Sequence, residues 1–353
     1  MQKYCDTALF VPFDDSISKS FNDESEWGIR TFRSGFKDRF IHHVPFLGFL
    51  VKFIHFINGF RKVCKSFRPD IIHAHAVTSA GLLSVFLSKF IHIPVIVTEH
   101  QTTEVMRLSR LRSRIKHHFT YKNASKAVCV SKDQRERFRK IFPDVDFHVI
   151  YNGISNRLKK NKNAGMQYRR EGYINCVIVA GFYARNTKGF QYLLPAIKIL
   201  TEEFRIPLVL HICGDGKHFE YYRNMASELG IADKCIFYGR CARDDVYSIV
   251  SEMDFGISAS LFESAGVNVE EMMLMGKPLV VTRSGGASSL VADYAAIIVD
   301  KGSTEALVNG IKEMSERYMT FDSKAIHDYA AENFDINKTT LQYLKLYQEC
   351  LEN

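Results

Sequence analysis

Short apolar segments rich in Val and Ile alternate with longer segments of helical periodicity from about residue 70 onward. This alternation is typical of βαβ units, in which parallel strands form a sheet that helices cover. The pattern breaks at a polar stretch rich in Lys and Asn, residues 156–172, and then restarts. We therefore predict an α/β chain of two doubly wound, Rossmann-like domains, 1–155 and 173–335, joined by a linker at 156–172. In such sheets ligands bind at the carboxyl ends of the strands, so we expect a ligand in a cleft that both domains face.

The predicted strands are the apolar runs bounded by turn residues. In the first domain they are 7–11, 70–73, 94–98, 126–130 and 147–150. In the second domain they are 175–179, 208–213, 234–238, 255–258, 278–282 and 296–299. Residues 336–353 form a helical segment with no strand after it, and we expect this helix to pack back on the first domain.

The composition is that of a globular protein, with 46% hydrophobic and 24% charged residues in a chain of 353. This length exceeds what one hydrophobic core usually holds. The eight cysteines are dispersed and contain no C-x-x-C pair, so we predict neither a disulfide framework nor a zinc site, and we expect a cytoplasmic location. The richest apolar stretch, 45–60, is interrupted by polar residues and is too short to span a membrane.

Positive charge is concentrated in the first half of the chain. Residues 1–160 hold 27 Lys and Arg against 14 Asp and Glu, whereas the remainder holds 20 against 25. Such a surface would suit an anionic membrane, which makes peripheral membrane binding one interpretation; a core-facing helix with a solvated basic rim is the other. We expect no nucleic acid partner, because no recognised binding motif accompanies the charge. The basic residues concerned are Arg33, Lys37, Arg39, Arg61, Lys62, Lys65, Arg68, Arg107, Arg110, Arg112, Arg114 and Lys116.

Two glutamates separated by seven residues, Glu263 and Glu271, form the strongest chemical motif. If a helix begins near Ser264, both carboxylates can face one bound ligand. Carboxylates accept hydrogen bonds from vicinal hydroxyls, and the free N–H groups at a helix start bind phosphates. One turn of chain could thus bind sugar hydroxyls, a diphosphate and a ribose. The structural alternative is an amphipathic helix with two incidental glutamates.

With Gly276-Lys277-Pro278 and Gly285-Gly286 behind it, this segment resembles the retaining GT-B glycosyltransferases of family 4, also called glycosyl transferases group 1. The resemblance covers roughly residues 68–353. It implies that Glu263 contacts the hydroxyls of the donor sugar and Glu271 the ribose of the nucleotide. It also implies that the backbone approaches the donor phosphates at Ser264, Ala265, Gly266 and Val267.

Further positions of the second half match family elements. The loop from Gly181 to Gly189 resembles the Gly-Arg…Lys-Gly loop, which implies that Lys188 neutralises the leaving nucleotide diphosphate. Phe182 occupies the place of the family's arginine, and Arg185 is a candidate substitute. A solvated turn lysine is the alternative for Lys188. The resemblance also assigns to the nucleotide base three residues: Gly214, Gly216 and Arg240.

In the first half, residues 69–75 and 94–100 resemble the two strand-end elements of the family. His100 is the candidate catalytic residue there, because the histidine at the family's position donates a hydrogen bond to the donor sugar. A structural role is the alternative for His100, and it is the interpretation that we favour for His73 and His75. Residues 1–27 contain no Gly-rich turn, so the resemblance implies a first domain that is incomplete at its N-terminus.

These assignments predict a retaining hexosyltransferase that uses a nucleotide-diphosphate sugar. The acceptor would be a saccharide or a lipid-linked saccharide. We predict no cofactor and no essential metal, because Lys188 and helix N–H groups can balance the diphosphate charge. The alternative is an inactive or truncated nucleotide-sugar-binding protein of the same fold. A Rossmann dehydrogenase is disfavoured, because no Gly-x-Gly-x-x-Gly opens a helix with an acidic residue about 20 positions on.

Overall fold

The structure analysed is a computed structural model, and it describes residues 1–16, 21–26, 28–36, 45–102, 106–155, 167–183 and 186–352. The chain is divided into two compact units. The first unit comprises residues 1–128, 138–148 and 340–353, and the second comprises 129–137 and 149–339. Both units combine helices with sheets that contain parallel strands, which confirms the predicted α/β class.

The strands are β1 (Ala8–Asp14), β2 (Asn22–Glu26), β3 (Ile29–Gly35), β4 (Ile72–His75), β5 (Val95–Glu99), β6 (Lys126–Cys129), β7 (Phe147–Val149), β8 (Ile174–Val179), β9 (Leu208–Cys213), β10 (Cys235–Gly239), β11 (Phe255–Ser258), β12 (Leu279–Thr282) and β13 (Ala296–Val299). The α-helices are α1 (Pro45–Cys64), α2 (Leu82–Ile91), α3 (Leu111–Asn123), α4 (Lys132–Ile141), α5 (Phe190–Glu202), α6 (Phe219–Glu228), α7 (Arg243–Glu252), α8 (Val267–Leu274), α9 (Gly286–Leu290), α10 (Thr304–Arg317), α11 (Ser323–Asn333) and α12 (Ile336–Leu351). A π-helical turn covers Val77–Gly81.

The strands of the first unit form two separate sheets. One has the order β1-β3-β2, in which β3 pairs parallel with β1 and antiparallel with β2. The other has the order β4-β5-β6-β7. The hairpin of β2 and β3 was not predicted, because β2 reads Asn-Asp-Glu-Ser-Glu and offers no apolar signal. Strand β4 begins two residues later than predicted, so that His73 and His75 both lie within it.

An apolar cavity of about 240 Å³ lies between β1 and β4, each of which is the last strand of its sheet. Helix α1 contributes to its lining. Phe56 and Val63 of α1 are buried, and the aromatic residues of this helix pack with Phe10, Leu83 and Leu87. Stretch 45–60 therefore turns one part of its surface to the core, while Leu50 and Ile54 are exposed. The basic positions Lys37 and Arg39 lie outside the described residues.

The second unit has a single six-stranded sheet among its described residues, in the order β10-β9-β8-β11-β12-β13. Its pairs are all parallel. All six residues of β9 are buried, as expected for a parallel strand that helices cover on both faces. These strands begin within one residue of the predicted positions.

The C-terminal helix α12 contacts the first unit through its last turns. Tyr347 and Tyr343 bond to β4 and β5 residues, and Glu349 forms an ion pair with Lys126 at 2.7 Å. Over the part of the chain that is described, we find no helix with the length and apolarity that crossing a membrane requires.

Candidate active site

The strand order of the second unit reverses between β8 and β11. From β8 the chain adds β9 and β10 on one side, and β11, β12 and β13 on the other. Such a switch point opens a crevice at the carboxyl ends of the two strands, where α/β proteins bind ligands. The loop after β8 carries Lys188 and the loop after β11 carries Glu263. The topology therefore brings two of the predicted site residues to one crevice.

The two loops are joined by their backbones. The N–H of Leu261 donates to the carbonyl of Thr187 at 2.8 Å. Gly189 adopts φ +73°, and a Cβ there would fall 2.8 Å from the carbonyl carbon of Ala259. Only glycine combines this φ with so close an approach. Gly189 thus fixes Lys188 beside the second loop.

Lys188 and Glu263 form an ion pair, with 2.6 Å between the lysine Nζ and Oε1 of the glutamate. The hydroxyl of Ser260 donates to the same oxygen at 2.8 Å. The Glu263 side chain is 16% exposed and that of Lys188 is 30% exposed, so the pair is partly shielded from water. A carboxylate with one fixed oxygen can still accept hydroxyl hydrogen bonds at the other.

Helix α8 begins at Val267, three residues later than the motif suggested. Gly266 precedes the helix at φ +155°, outside the helical region, and this delays the first turn. A helix leaves the N–H groups of its first turn without a partner inside the helix, and these groups point along its axis. Ser264, Ala265 and Gly266 form the loop that leads into this turn. Asn268 links the turn to the crevice by donating from Nδ2 to the carbonyl of Val179 at 3.0 Å.

Glu271 lies on the second turn of α8, and its Oε1 accepts two hydrogen bonds. Arg243 donates one, and the hydroxyl of Tyr247 donates the other at 3.0 Å. Arg243 and Tyr247 are four residues apart on α7 and therefore share a face of that helix. The Glu271 side chain is 17% exposed and that of Arg243 is 61% exposed. The outer position of Arg243 places a cation at the rim of the site.

Gly286 holds the loop that contains Glu263. Its N–H donates to the carbonyl of Glu263 at 2.8 Å, and a Cβ on Gly286 would fall 2.6 Å from the backbone nitrogen of Ala265. Ser131 caps α4 by accepting the N–H of Gln134 at 3.1 Å. Its hydroxyl also donates to the carbonyl of Ser264 at 2.5 Å.

The glycine turn after β9 packs directly under the loop after β8. Gly214 and Gly216 have φ of +146° and +147°, and a Cβ at Gly216 would fall 2.7 Å from the carbonyl carbon of Phe182. Both positions therefore require glycine for conformational reasons. Arg240 follows β10 and is exposed, while Arg185 lies outside the described residues.

Glu270, the neighbour of Glu271, is completely buried. Within the described part of the chain, neither of its carboxylate oxygens has a hydrogen-bond partner. Burial, aided by the charge of Glu271, raises the pKa of Glu270 to about 8. The group is therefore largely neutral at physiological pH.

His100 belongs to the first unit and directly follows β5. Its Nε2 shares a hydrogen bond with Nδ1 of His75 at 2.9 Å. Both rings keep an edge in solvent, but protein atoms surround the rest. This loss of hydration, together with the nearby His75, lowers the pKa of His100 to about 4. His100 is thus a neutral hydrogen-bonding group over the physiological range.

Within the described ranges, no group of three or more His, Cys, Asp or Glu side chains is placed to hold a metal ion. The sequence contains one Asp-x-Asp element, Asp144-Val145-Asp146, directly before β7. Asp144 is bound there by His118 and Lys122 at 2.9 and 3.3 Å.

Three site residues were not anticipated in these roles: Ser260, Arg243 and Tyr247. The sequence could have indicated Ser260, because it stands three positions before Glu263 in a Ser-x-x-Glu sequence. No sequence pattern indicates Arg243 or Tyr247, because only the fold brings α7 beside Glu271.

The sequence matches two known family models. The sequence model of glycosyl transferases group 1 matches residues 175–332, and that of glycosyltransferase family 4 matches residues 25–157. The chain belongs to the GT-B glycosyltransferases of family 4/group 1. The predicted family is thereby confirmed.

Relatives with curated descriptions agree with this assignment. An uncharacterized glycosyltransferase of Methanocaldococcus jannaschii is 26% identical over 289 residues, which are 79% of this chain and 76% of the relative. The alpha-monoglucosyldiacylglycerol synthase of Streptococcus pneumoniae is 25% identical over 326 residues, which are 83% of this chain and 71% of the relative.

Solved structures share the fold. The sucrose-phosphate synthase of Thermosynechococcus elongatus superimposes with a TM-score of 0.79 at 17% identity, over 97% of this chain and 88% of that one. HepE of Anabaena, solved in complex with UDP, superimposes with a TM-score of 0.71 at 19% identity, over 90% of this chain and 86% of that one. These likenesses confirm the GT-B fold.

Proposed function

We propose that this glycosyltransferase moves a hexose-type sugar from a nucleotide diphosphate to a hydroxyl acceptor, with retention of the anomeric configuration. The observation that carries the proposal is the crevice between β8 and β11. Lys188, Glu263 and the start of α8 meet there, with Glu271 one turn further on. Cation, carboxylates and helix N-terminus are the groups that a nucleotide-diphosphate sugar requires.

Each group has a part of the donor to bind. Lys188 and the first-turn N–H groups of α8 balance the charge that develops on the leaving diphosphate, an electrostatic contribution to catalysis. Glu263 accepts hydrogen bonds from sugar hydroxyls, and Glu271 accepts them from the ribose. The glycine turn at Gly214 and Gly216 leaves room for the base, with Arg240 beside it. His100 donates a hydrogen bond to the sugar.

A donor panel tests the transfer. The purified chain is incubated with UDP-, GDP- and ADP-hexoses and a mixture of saccharide and lipid-linked acceptors, and the product linkage is determined by NMR. We expect turnover of at least one donor, with the anomeric configuration of the donor kept. Inversion of configuration would refute retention, and no turnover of any donor would refute catalysis.

Glu271→Ala separates transfer from mere binding. It should weaken calorimetric donor binding, whereas Glu202→Ala, which removes an exposed carboxylate of α5, should not. Binding that depends on Glu271 without turnover would support the alternative of an inactive nucleotide-sugar-binding protein.

The reaction is proposed to need no metal, because Lys188 and the α8 N-terminus supply the positive charge. Transfer in excess EDTA should proceed at the rate seen with added Mg²⁺ or Mn²⁺. Loss of activity in EDTA that Mn²⁺ restores would contradict this part of the proposal.

The acceptor is proposed to be lipid-linked and reached at an anionic membrane. The first unit carries an open groove lined by Arg107, Arg110, Arg114 and Lys140. Leu111 and Ile115, four residues apart on α3, are 65% and 59% exposed beside it. Exposed apolar side chains flanked by cations are the pattern of interfacial binding. The relative from S. pneumoniae, by its name, makes a glycolipid.

Vesicle flotation tests the membrane surface. We expect binding to phosphatidylglycerol vesicles but not to phosphatidylcholine, and loss of binding in Arg110→Glu/Arg114→Glu and in Leu111→Ser/Ile115→Ser. Lys198→Glu, a charge reversal on α5, is the control and should bind like the wild type. Equal binding by all variants would exclude α3 as the contact.

A further inference from the structure

Three histidines of the first unit stand in one row. His73 and His75 alternate on β4 and therefore project on the same face of the strand. The ring centroids of His73 and His75 are 4.5 Å apart and those of His75 and His100 are 5.2 Å apart, with interplanar angles of 27° and 22°. The hydrogen bond between Nδ1 of His75 and Nε2 of His100 closes the row at 2.9 Å.

The inner end of the row is anchored. His73 Nδ1 shares a hydrogen bond with the Tyr347 hydroxyl at 2.7 Å, and its Nε2 shares one with the Thr98 hydroxyl at 2.8 Å. The hydroxyl of Thr98 also bonds with that of Tyr343 at 3.0 Å. With both nitrogens engaged, His73 offers a fixed surface against which His75 stacks.

The backbone of His100 is also held. Oε1 of Glu99 accepts the N–H groups of His100 and Gln101 at 3.0 and 2.9 Å. Its Oε2 accepts the N–H of Val77 and the hydroxyl of Tyr121 at 3.1 and 3.0 Å. The side-chain rotation of His100 is then the main remaining freedom, and the bond to His75 restrains it.

A bond between two neutral imidazoles also links their tautomers. A neutral imidazole has one N–H and one acceptor nitrogen, so either His75 Nδ1 or His100 Nε2 carries the proton of this bond. Titratable groups beside the row are His73 on β4, Glu99 on β5, and Tyr343 and Tyr347 on α12, and those beside Glu99 are Lys116 and Tyr121 on α3. Burial lowers the pKa of His73 to about 3, so the row is neutral at physiological pH.

We propose that His75 is a positioning residue for His100: its hydrogen bond sets the rotamer and the tautomer in which His100 meets the donor sugar. The inference rests on the proposed function, in which His100 touches that sugar. It assigns a role to the second histidine of the sequence His73-Ala74-His75, for which we favoured a structural role above.

The test compares two substitutions in the full chain. In His75→Asn the side-chain amide places a polar atom near the former Nδ1, whereas in His75→Phe the ring remains and the hydrogen bond is lost. We expect His75→Phe to lower kcat roughly 10- to 100-fold with a smaller change in donor KM, and His75→Asn to keep most of the wild-type kcat. His118→Phe, an exposed histidine of α3, is the control for ring replacement.

A second readout does not depend on turnover. In ¹⁵N NMR spectra at neutral pH, the ring nitrogens of His100 should show one tautomer in the wild type and a mixture of both in His75→Phe, with His75→Asn close to the wild type. An unchanged tautomer in His75→Phe would overturn the proposal, as would equal activity losses in both variants. If the wild type transfers no sugar, the proposed function fails while the NMR spectra still decide the positioning role.

Discussion

The ion pair of Lys188 and Glu263 joins two residues for which the sequence implied separate tasks. In the structure each is the partner of the other at 2.6 Å. A bound diphosphate would therefore compete with Glu263 for the lysine. The pair keeps the cation in place before the donor arrives, and fixed charges of this kind need no reorganisation during the reaction.

Lys188→Ala tests that arrangement. We expect kcat to fall by about 10²–10³-fold, because the leaving diphosphate loses its cation. Thermal stability should change little, since the Lys188 side chain is 30% exposed and Ser260 still donates to Glu263. Lys198→Ala, which removes the cation of a surface pair with Glu202, should retain full activity. A Lys188→Ala enzyme with wild-type kcat would show that the lysine only orients Glu263.

Glu270 gives a prediction on stability. Its folded pKa of about 8 lies above the ordinary value of 4.5. Folding therefore keeps a proton on this group, and its contribution to stability is full below pH 4.5 and is lost as the pH rises toward 8. Each pH unit in this window lowers the free energy of unfolding by up to about 1.4 kcal/mol.

In Glu270→Leu this pH dependence should disappear. Thermal unfolding is measured from about pH 5 to about pH 9, which covers most of the titration. The free energy of unfolding of Glu270→Leu should exceed that of the wild type by an amount that grows with pH. Glu270→Gln keeps a buried polar group without titration and should show a gain with the same slope but a smaller size. Parallel wild-type and Glu270→Leu curves would contradict the burial of the carboxyl.

At this scale the sequence indicated the chemistry but not all contacts. Glu263, Glu271 and Lys188 were predictable because their spacing and neighbours are local. Arg243 and Tyr247 were not, since only the packing of α7 brings them to Glu271. No pattern in the sequence distinguishes Glu270 from an exposed glutamate. The face of α8 that buries it is known only from the structure.

The elements of the second unit were predictable because most of its strands are short apolar runs bounded by turns, as in Leu208–Cys213. The hairpin of β2 and β3 was not, since its polar strands carry no such signal. The start of α8 was missed for another reason. Helical propensity continues through Ser264 and Ala265, but Gly266 at φ +155° and the contact with Gly286 hold these residues outside the helix.

Gly286→Ala tests how α9 supports α8. The added Cβ would meet the backbone of Ala265, so the loop of Glu263 must shift. We expect donor binding measured by calorimetry to weaken strongly while the fold persists. Gly230→Ala, at φ +77° with open space around it, costs about 1 kcal/mol through its backbone alone. Equal donor binding by both variants would refute the dependence on close packing.

For the molecule as a whole, charge and fold lead to different conclusions. The family models assign the chain to its family, while the basic surface of the first unit concerns the proposed membrane contact. A family fold hosts many donors and acceptors, so the identity of the sugar could not follow from it. The cluster of cations on α3 was visible in the sequence, but the exposure of Leu111 and Ile115 beside it needed the structure.

The cavity between β1 and β4 bears on how the chain folds. Both strands are the last of their sheets there, and the edge of such a strand offers unpaired backbone groups to another strand.

While the chain is folding, a strand from a second molecule could pair at this place, so refolding yields should fall as protein concentration rises. Leu9→Lys puts a charge on the β1 edge and should lower light scattering during refolding. Leu341→Lys, at an exposed site on α12, should not. Equal light scattering by Leu9→Lys and the wild type would contradict this role of the β1 edge. If the yields behave as expected, the first unit would depend on dilution or chaperones to reach its native state.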